Sequence, residues 1–154
     1  MTLNSDFQLL RSFFERPVCQ KAAGPMHDGA VLAIQVGNEA PFTLLKHEGG
    51  LTLNPTAPAP PDMTFFLGDE IPGLLDRLNS NDISEIGISI FNWIFEADQK
   101  KRITAKIHVD SFSILKKGYF GVLAQGGLPV MQYLAGKGLG SLAKIKSNLS
   151  KLRR

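Results

Sequence analysis

The chain has 154 residues, of which 44% are hydrophobic and 20% are charged, and it contains a single cysteine. This composition fits one folded domain with its own core, and it excludes an intrinsically disordered chain and a disulfide-stapled secreted fold. The net charge of +3 is small and the basic residues near the end are mostly Lys, which argues against nucleic-acid binding. Residues 1–8 lack the basic and apolar stretches of a signal peptide, so we expect a cytoplasmic protein.

The charges are divided sharply along the chain. All 14 acids lie at or before Asp110, where they face nine Lys and Arg and give residues 1–110 a net charge of −5. Residues 111–154 carry eight Lys and Arg and no acid, a net charge of +8, and they include apolar runs at 119–123 and 129–131. A segment that is both basic and apolar suits an anionic lipid surface. Ordinary helices with a solvated Lys face would carry the same pattern, and the sequence leaves both interpretations open.

The first element is predicted to be a helix that ends at Glu15, with Asn4 or Ser5 as its N-cap and Pro17 as its stop signal. Residues 21–29 are expected to form a loop. The apolar face of the helix carries Phe7, Leu10, Phe13 and Phe14.

Three short apolar runs follow, at residues 30–36, 42–46 and 51–53. They predict consecutive antiparallel strands joined by tight turns. Four prolines within residues 55–61 predict an extended connector, because proline cannot sit inside a regular helix or strand. Residues 62–67 then predict a fourth strand.

Two helices and a strand complete the predicted core. Asp69 is a plausible N-cap for a short helix that ends near Asn79, and Asp82 with Glu85 resembles a capping box for the next one. Residues 103–109 alternate between apolar and polar side chains, which predicts a half-buried strand.

The helix after Asp82 is unusually apolar. More than half of its circumference is apolar, whereas a helix on one face of a sheet needs about a third. Either the segments after Asp110 cover this surplus or a bound apolar ligand or membrane does, and both remain open. Its polar residues form one narrow stripe, Glu85, Ser89, Asn92 and Glu96.

Residues 111–154 are expected to form helices that begin near Ser111, Pro129 and Leu139. The uncharged window 118–136 is long enough to cross a bilayer, but its five glycines and one proline favour two short helices. The last helix is predicted to be basic and amphipathic. Its apolar face carries Leu142, Ile145, Leu149 and Leu152.

No catalytic arrangement is recognisable in the sequence. Cys19 pairs with none of the three histidines, the histidines do not cluster as metal ligands, and no phosphate-binding loop follows a strand. The glycines of residues 136–140 are better explained as the end of one helix and the start of the next. We therefore predict a protein that is not an enzyme and that uses no cofactor or metal.

The order of these elements over about residues 28–109 resembles the sterol carrier protein domain. In that family an Asp–hydrophobic–Thr strand leads into an acidic helix start, and Asp62–Met63–Thr64 followed by Gly68–Asp69–Glu70 is similar. The family often has a Gly–hydrophobic–x–hydrophobic–x–Gly–Asp strand late in the domain, and residues 97–103 depart from it.

The resemblance implies an α+β fold with a five-stranded, mostly antiparallel sheet, helices on one side, and an apolar tunnel between them. We expect one domain of residues 1–154, with a core of residues 28–110 and a basic, apolar helical tail of residues 111–154. Its function would be non-catalytic binding and intracellular transfer or presentation of a sterol, fatty acyl or isoprenoid lipid. The residues predicted to contact the lipid are Phe91, Trp93, Ile94, Phe95, Phe120, Leu123, Met131 and Leu134.

The tail is also predicted to meet an anionic membrane surface, which would make the protein a peripheral membrane protein. The basic residues expected at that surface are Lys144, Lys146, Lys151 and Arg153. The alternative is a protein–protein interaction module, or a homodimer, that buries the same apolar helix surface. The sequence does not decide the oligomeric state.

Overall fold

A computed structural model describes residues 2–56, 60–110, 113 and 116–124. The elements in chain order are α1 (Thr2–Glu15), α2 (Pro17–Ala22), β1 (Val31–Val36), β2 (Phe42–His47), β3 (Gly50–Asn54), β4 (Met63–Leu67), α3 (Ile71–Arg77), α4 (Ile83–Ile94), a short 3₁₀ turn (Gln99–Lys101), β5 (Ile103–Ile107) and α5 (Tyr119–Ala124). The predicted α+β class and the five strands are confirmed.

The sheet is mixed, so the expectation of a mostly antiparallel sheet was wrong. Its strand order is β3-β2-β1-β4-β5, and β1 pairs with β4 in parallel while the other three pairs are antiparallel. Because β3 and β4 run the same way, the chain between Asn54 and Met63 must return along the sheet. Those eight residues can span the return, since an extended chain covers about 3.3 Å per residue.

Local signals explain where the helices begin and end, with three corrections. Pro17 was expected only to end α1, but it also occupies the first turn of α2, where its missing N–H costs nothing. Glu70 takes the N-cap position of α3 instead of Asp69, and its side chain makes no capping hydrogen bond. Gly118 has a φ of 87°, so α5 begins after it and the helix predicted from residue 111 does not run on through Tyr119.

One hydrophobic core lies on one face of the sheet. The strands contribute alternate residues such as Leu32, Ile34 and Phe42, and helices α1 to α4 contribute buried side chains to the same cluster. Phe7 of α1 meets Phe42 edge to face, with 5.1 Å between the ring centroids. The buried helix residues are Leu10, Phe13, Val18, Ile71, Leu75 and Ile86.

Two contacts fix the ends of α3 and so position α4. The guanidinium of Arg16 donates to the carbonyl oxygens of Asp76 and Leu78, tying the start of α2 to the end of α3. At the other end, a Cβ on Gly68 would lie 2.3 Å from the carbonyl oxygens of Gln99 and Lys100. Only glycine allows this close approach of the chain that follows α4.

Candidate functional site

Helix α4 has three distinct faces. Each residue advances about 100° around a helix, so residues three and four apart share a face. One face meets the sheet: Ile86 is buried in the core, and the neighbours on its side pack against that core. This core-facing stripe consists of Ile83, Ile86, Ile90, Trp93 and Ile94.

A second apolar stripe runs along another side of the same helix. Ile88, Phe91 and Phe95 follow one another at spacings of three and four, and we call them the outer stripe. Within the described residues they are not among the side chains that pack against the core. Ile88 and Phe91 are half-buried, and Phe95 at the C-cap is 43% exposed. The fold therefore presents large apolar side chains beyond those that its core takes up.

The third face is polar and acidic. It carries Glu85, Ser89, Asn92 and Glu96, as the sequence predicts, and Asp82 lies at the start of the helix. Glu85 accepts a hydrogen bond from the Ser80 hydroxyl at 2.7 Å. The ion pairs found in the described part of the chain are Arg11–Glu15, His47–Glu48 and Lys117–Asp62, and none of them uses an acid of α4.

Both ends of α4 are capped. At the N-terminus the Asp82 carboxylate accepts a hydrogen bond from Ser84 N at 2.9 Å, which confirms the predicted N-cap. Glu85 binds Ser80 instead of returning to the backbone of Asp82, so the capping box is only half formed. At the C-terminal end the Arg102 guanidinium donates to the carbonyl oxygens of Glu96 and Ala97, placing a cation where the helix dipole is negative.

Helix α5 is held to the fold by one buried carboxylate. Asp62 is 3% exposed, and its two oxygens accept hydrogen bonds from Lys117 Nζ at 2.7 Å, the Tyr119 hydroxyl at 2.7 Å and Val31 N at 3.0 Å. We call these residues the Asp62 clamp. All three donors are directed at a charged acceptor, the stronger class of hydrogen bond. Burial, followed by the hydrogen bond and charge of Asp62, raises the pKa of Tyr119 far above its ordinary value, so the phenol stays protonated.

Backbone contacts reinforce the Asp62 clamp. His27 N donates to the Lys117 carbonyl at 2.9 Å. A Cβ on Gly118 would lie 2.0 Å from the Pro25 carbonyl oxygen, so the positive φ and the close approach both require glycine there. Lys117 and Gly118, which lead into α5, are thus fixed against the loop that precedes β1.

Two further reactive groups among the described residues, Lys46 and Cys19, are held within the fold. Lys46 is 2% exposed and donates from Nζ to the carbonyl oxygen of Ala23 at 2.6 Å, at the C-terminal end of α2. Burial raises the pKa of the Cys19 thiol to about 11, which keeps it protonated and unreactive at neutral pH. Across the described ranges no three His, Cys, Asp or Glu residues are grouped as metal ligands would be.

The residues predicted to contact the lipid or the membrane surface lie in α4, in α5 or outside the described residues. Phe91 and Phe95 lie on the outer stripe, whereas Trp93 and Ile94 face the core. Phe120 and Leu123 belong to α5, although their side chains are not described. The other predicted residues lie outside the described residues: Met131, Leu134, Lys144, Lys146, Lys151 and Arg153.

Sequence reasoning missed Ile88 as part of this surface. The spacing of 88, 91 and 95 was present in the sequence, but periodicity alone cannot show which of two apolar faces meets the sheet.

No helix in the described ranges is both long and apolar enough to cross a membrane.

Comparisons with models of known protein families, with curated proteins and with solved structures gave no match to this chain.

Proposed function

We propose that the protein binds an apolar lipid of the sterol, fatty acyl or isoprenoid class without chemically altering it, and that it transfers or presents this lipid inside the cell. The observation that carries the proposal is the outer stripe of α4. A helix that only supports a sheet does not need a second row of large apolar side chains outside the core, because apolar surface left in water is unfavourable.

The energetics of the proposal follow from burial alone. Each methylene group that leaves water contributes about 0.8 kcal/mol, and a fully covered Phe contributes about 1.5–3 kcal/mol. The stretch from Ile88 to Phe95 is about 10 Å long at 1.5 Å per residue, long enough to lie along part of an acyl chain or a sterol ring system. No covalent step is involved.

Trp93 and Ile94 would form the inner wall of the proposed site. They lie between α4 and the sheet, packed against the core, in the layer where the resemblance to the sterol carrier protein domain implies a tunnel. A lipid that enters beside α4 would contact the outer stripe first and would approach Trp93 on moving inward. The two groups of predicted residues would then act at successive stages of uptake.

Self-association through α4 is the main alternative. Its acidic face speaks against symmetrical pairing, since two antiparallel copies of α4 would place Glu85 of one copy near Glu96 of the other. Repulsion between these two carboxylates would disfavour the pairing. A lipid has no such conflict.

The direct test is native mass spectrometry of the protein as purified, followed by organic extraction of whatever is bound. We expect a monomer carrying one lipid of a few hundred daltons. An empty protein that appears as a clean dimer would overturn the proposal and would assign the outer stripe to self-association.

The basic residues of the tail are proposed to bring the site to an anionic membrane. Each Lys near such a surface contributes about 1 kcal/mol. The double variant Lys144→Glu with Lys146→Glu should therefore weaken flotation with phosphatidylglycerol vesicles about tenfold or more. Lys100→Glu with Lys101→Glu, at two exposed positions outside the tail, is the matched control. Equal losses in both double variants would contradict a specific role for the tail.

A further inference from the structure

A cleft lies between helix α2 and the start of α4. Its volume is about 800 Å³, within the range of roughly 300–1,000 Å³ that small-molecule sites occupy. Helix α2 lines one wall with Pro17, Val18 and Lys21, and residues 81–84 line the other. The cleft is open to solvent on one side, which suits a ligand that keeps a polar end at the surface.

The floor of the cleft is part of the hydrophobic core. Val18 is 7% exposed and belongs to the core cluster, and Ile83 on the opposite wall packs against the same cluster. Ile83 is also the first residue of the core-facing stripe of α4, which continues to Trp93 and Ile94. At 1.5 Å per residue this stripe is about 16 Å long. It therefore connects the floor of the cleft to the inner wall of the proposed lipid site.

The rim of the cleft carries two opposite charges on opposite walls. The ammonium of Lys21 belongs to the last turn of α2, and the carboxylate of Asp82 belongs to the N-cap of α4. The ion pairs of the described residues do not join these two side chains, and both residues are exposed. Asp82 accepts a hydrogen bond from Ser84 N, but an ionised carboxylate accepts up to about four. A ligand with both a negative and a positive group is therefore complementary to this rim.

We infer that the cleft binds the head group of a fatty acyl lipid that carries both a phosphate and an ammonium group. The phosphate lies at Lys21, the ammonium lies at Asp82, and the acyl chain passes over Val18 and Ile83. A purely anionic head group is repelled by Asp82, and a sterol or isoprenoid leaves both charges without a partner. The choice of an acyl lipid rests on the proposed lipid binding, whereas the recognition of the two charges does not.

The test compares two lysophospholipids with the same acyl chain by isothermal titration calorimetry on the full-length chain, below the concentration at which they form micelles. Lysophosphatidylethanolamine carries the phosphate and the ammonium, whereas lysophosphatidylglycerol carries the phosphate alone. We expect lysophosphatidylethanolamine to bind about fivefold more tightly, the upper end of what one exposed ion pair supplies. Equal or tighter binding of lysophosphatidylglycerol would overturn the inference.

Two substitutions separate the two charges and leave the N-cap of α4 in place. Asp82→Asn removes the charge but keeps the cap, since Asn caps a helix as well as Asp does. It should weaken the binding of lysophosphatidylethanolamine about fivefold and should not weaken that of lysophosphatidylglycerol, which escapes a repulsion. Lys21→Met keeps the apolar stem of the side chain and should weaken both lipids. Equal losses for both lipids in Asp82→Asn would overturn the role of the carboxylate, because a general disturbance of the cleft acts on both.

Asp98→Asn is the matched control. Asp98 is also an exposed cap, where its carboxylate accepts a hydrogen bond from Lys100 N at 3.0 Å, and it does not line the cleft. Its substitution should change the binding of either lipid less than about twofold, as is usual for surface positions away from a site. Equal effects of Asp82→Asn and Asp98→Asn would overturn the inference, since the overall charge of the protein would then explain both.

Glycerophosphoethanolamine, the same head group without an acyl chain, separates this inference from the proposed function. Lysophosphatidylethanolamine should bind at least about tenfold more tightly, because its chain leaves water. Equal affinities that Asp82→Asn still weakens would support the recognition of the two charges and would count against the proposed lipid binding. Chain-dependent binding that neither Asp82→Asn nor Lys21→Met weakens would do the reverse.

Discussion

Helices α1 and α4 are of similar length, and both lie over the same sheet, yet they use their apolar residues differently. In α1, Leu10 and Phe13 are 0% and 2% exposed, and Phe7 meets Phe42 of the sheet. In α4, Ile86 is the one buried residue of the helix, at 7% exposed, and the outer stripe lies beyond the core. Helix α1 therefore has the apolar surface that the fold can bury, and α4 has more than that.

This difference indicates which apolar residues serve the stability of the fold and which are expected to serve ligand binding. Apolar residues that the core encloses stabilise the folded chain, whereas those outside the core are expected to contribute less to folding and, in the proposal, more to binding. If this is correct, equivalent substitutions in the two helices should have opposite profiles, with large effects on stability in α1 and large effects on ligand binding in α4.

The largest expected contrast is between Phe13→Ala and Phe91→Ala. Removing the buried Phe13 ring leaves a cavity and should lower the free energy of unfolding by about 3–5 kcal/mol. Removing the Phe91 ring should cost less, about 1–2 kcal/mol, because this side chain is only partly buried and is not among those that pack against the core. Urea denaturation followed by circular dichroism measures both values. Similar losses in the two variants would break the comparison.

The next effect concerns the Asp62 clamp that holds α5. Tyr119→Phe removes one hydrogen bond to a buried carboxylate and should lower the free energy of unfolding by about 1.5–3 kcal/mol. The same denaturation measurement applies. Lys117→Met is the companion variant, and it should cost less because the Lys117 side chain is 37% exposed. A larger loss for Lys117→Met would mean that the ion pair, and not the phenol, holds the helix.

A smaller effect is expected from the N-cap of α4. Asp82→Ala removes the acceptor for Ser84 N and should cost about 1 kcal/mol. Because α4 buries less of its surface than α1, the loss should appear as fraying. Hydrogen exchange at residues 84–86 should therefore accelerate more than exchange in α1. Uniform acceleration throughout the chain would show that α4 unfolds only together with the whole fold.

The smallest effect is on the reactivity of Cys19 in α2, which reports how well the helices on the core side of the sheet exclude solvent. Burial raises the thiol pKa from its ordinary value of 9.0 to about 11. Iodoacetamide should therefore react slowly at pH 8, and the rate should reach half its maximum near pH 11 instead of near pH 9. The raised pKa also means that the thiol's contribution to stability is complete below about pH 9 and is lost towards pH 11. Alkylation at the rate of a free thiol at pH 8 would contradict this burial.

Much of the fold could be predicted from the sequence because its signals are local. Apolar runs closed by Gly37, Gly49 and the prolines located the strands, and Asp82 located the start of α4. The parallel pairing of β1 with β4 could not be read, because it depends on the path of the connector and not on side-chain period. Helix α2 was missed because Pro17 can end one helix and begin the next.

The candidate site was only partly predictable for a similar reason. The polar stripe of α4 is a periodic signal, and so is the excess of apolar residues around it. Which apolar side chains face the sheet depends on how the helix is rotated, and the chain that follows the helix is positioned in part by Gly68, a residue distant in sequence. The division of Phe91 and Phe95 from Trp93 and Ile94 therefore emerges only from the packed fold.

The central claim, that α4 holds the lipid, is tested most directly through Trp93, the one tryptophan of the chain. Doxyl-stearic acid, a spin-labelled fatty acid, should quench its fluorescence, while unlabelled stearic acid should not. Phe91→Asp should raise the half-quenching concentration about tenfold or more, since covering a Phe contributes about 1.5–3 kcal/mol. Phe66→Asp, on the opposite face of the sheet, should change it less than about twofold, in line with the modest effect of surface substitutions away from a site. Equal quenching in all three proteins, or no quenching in any, would contradict a lipid site at α4.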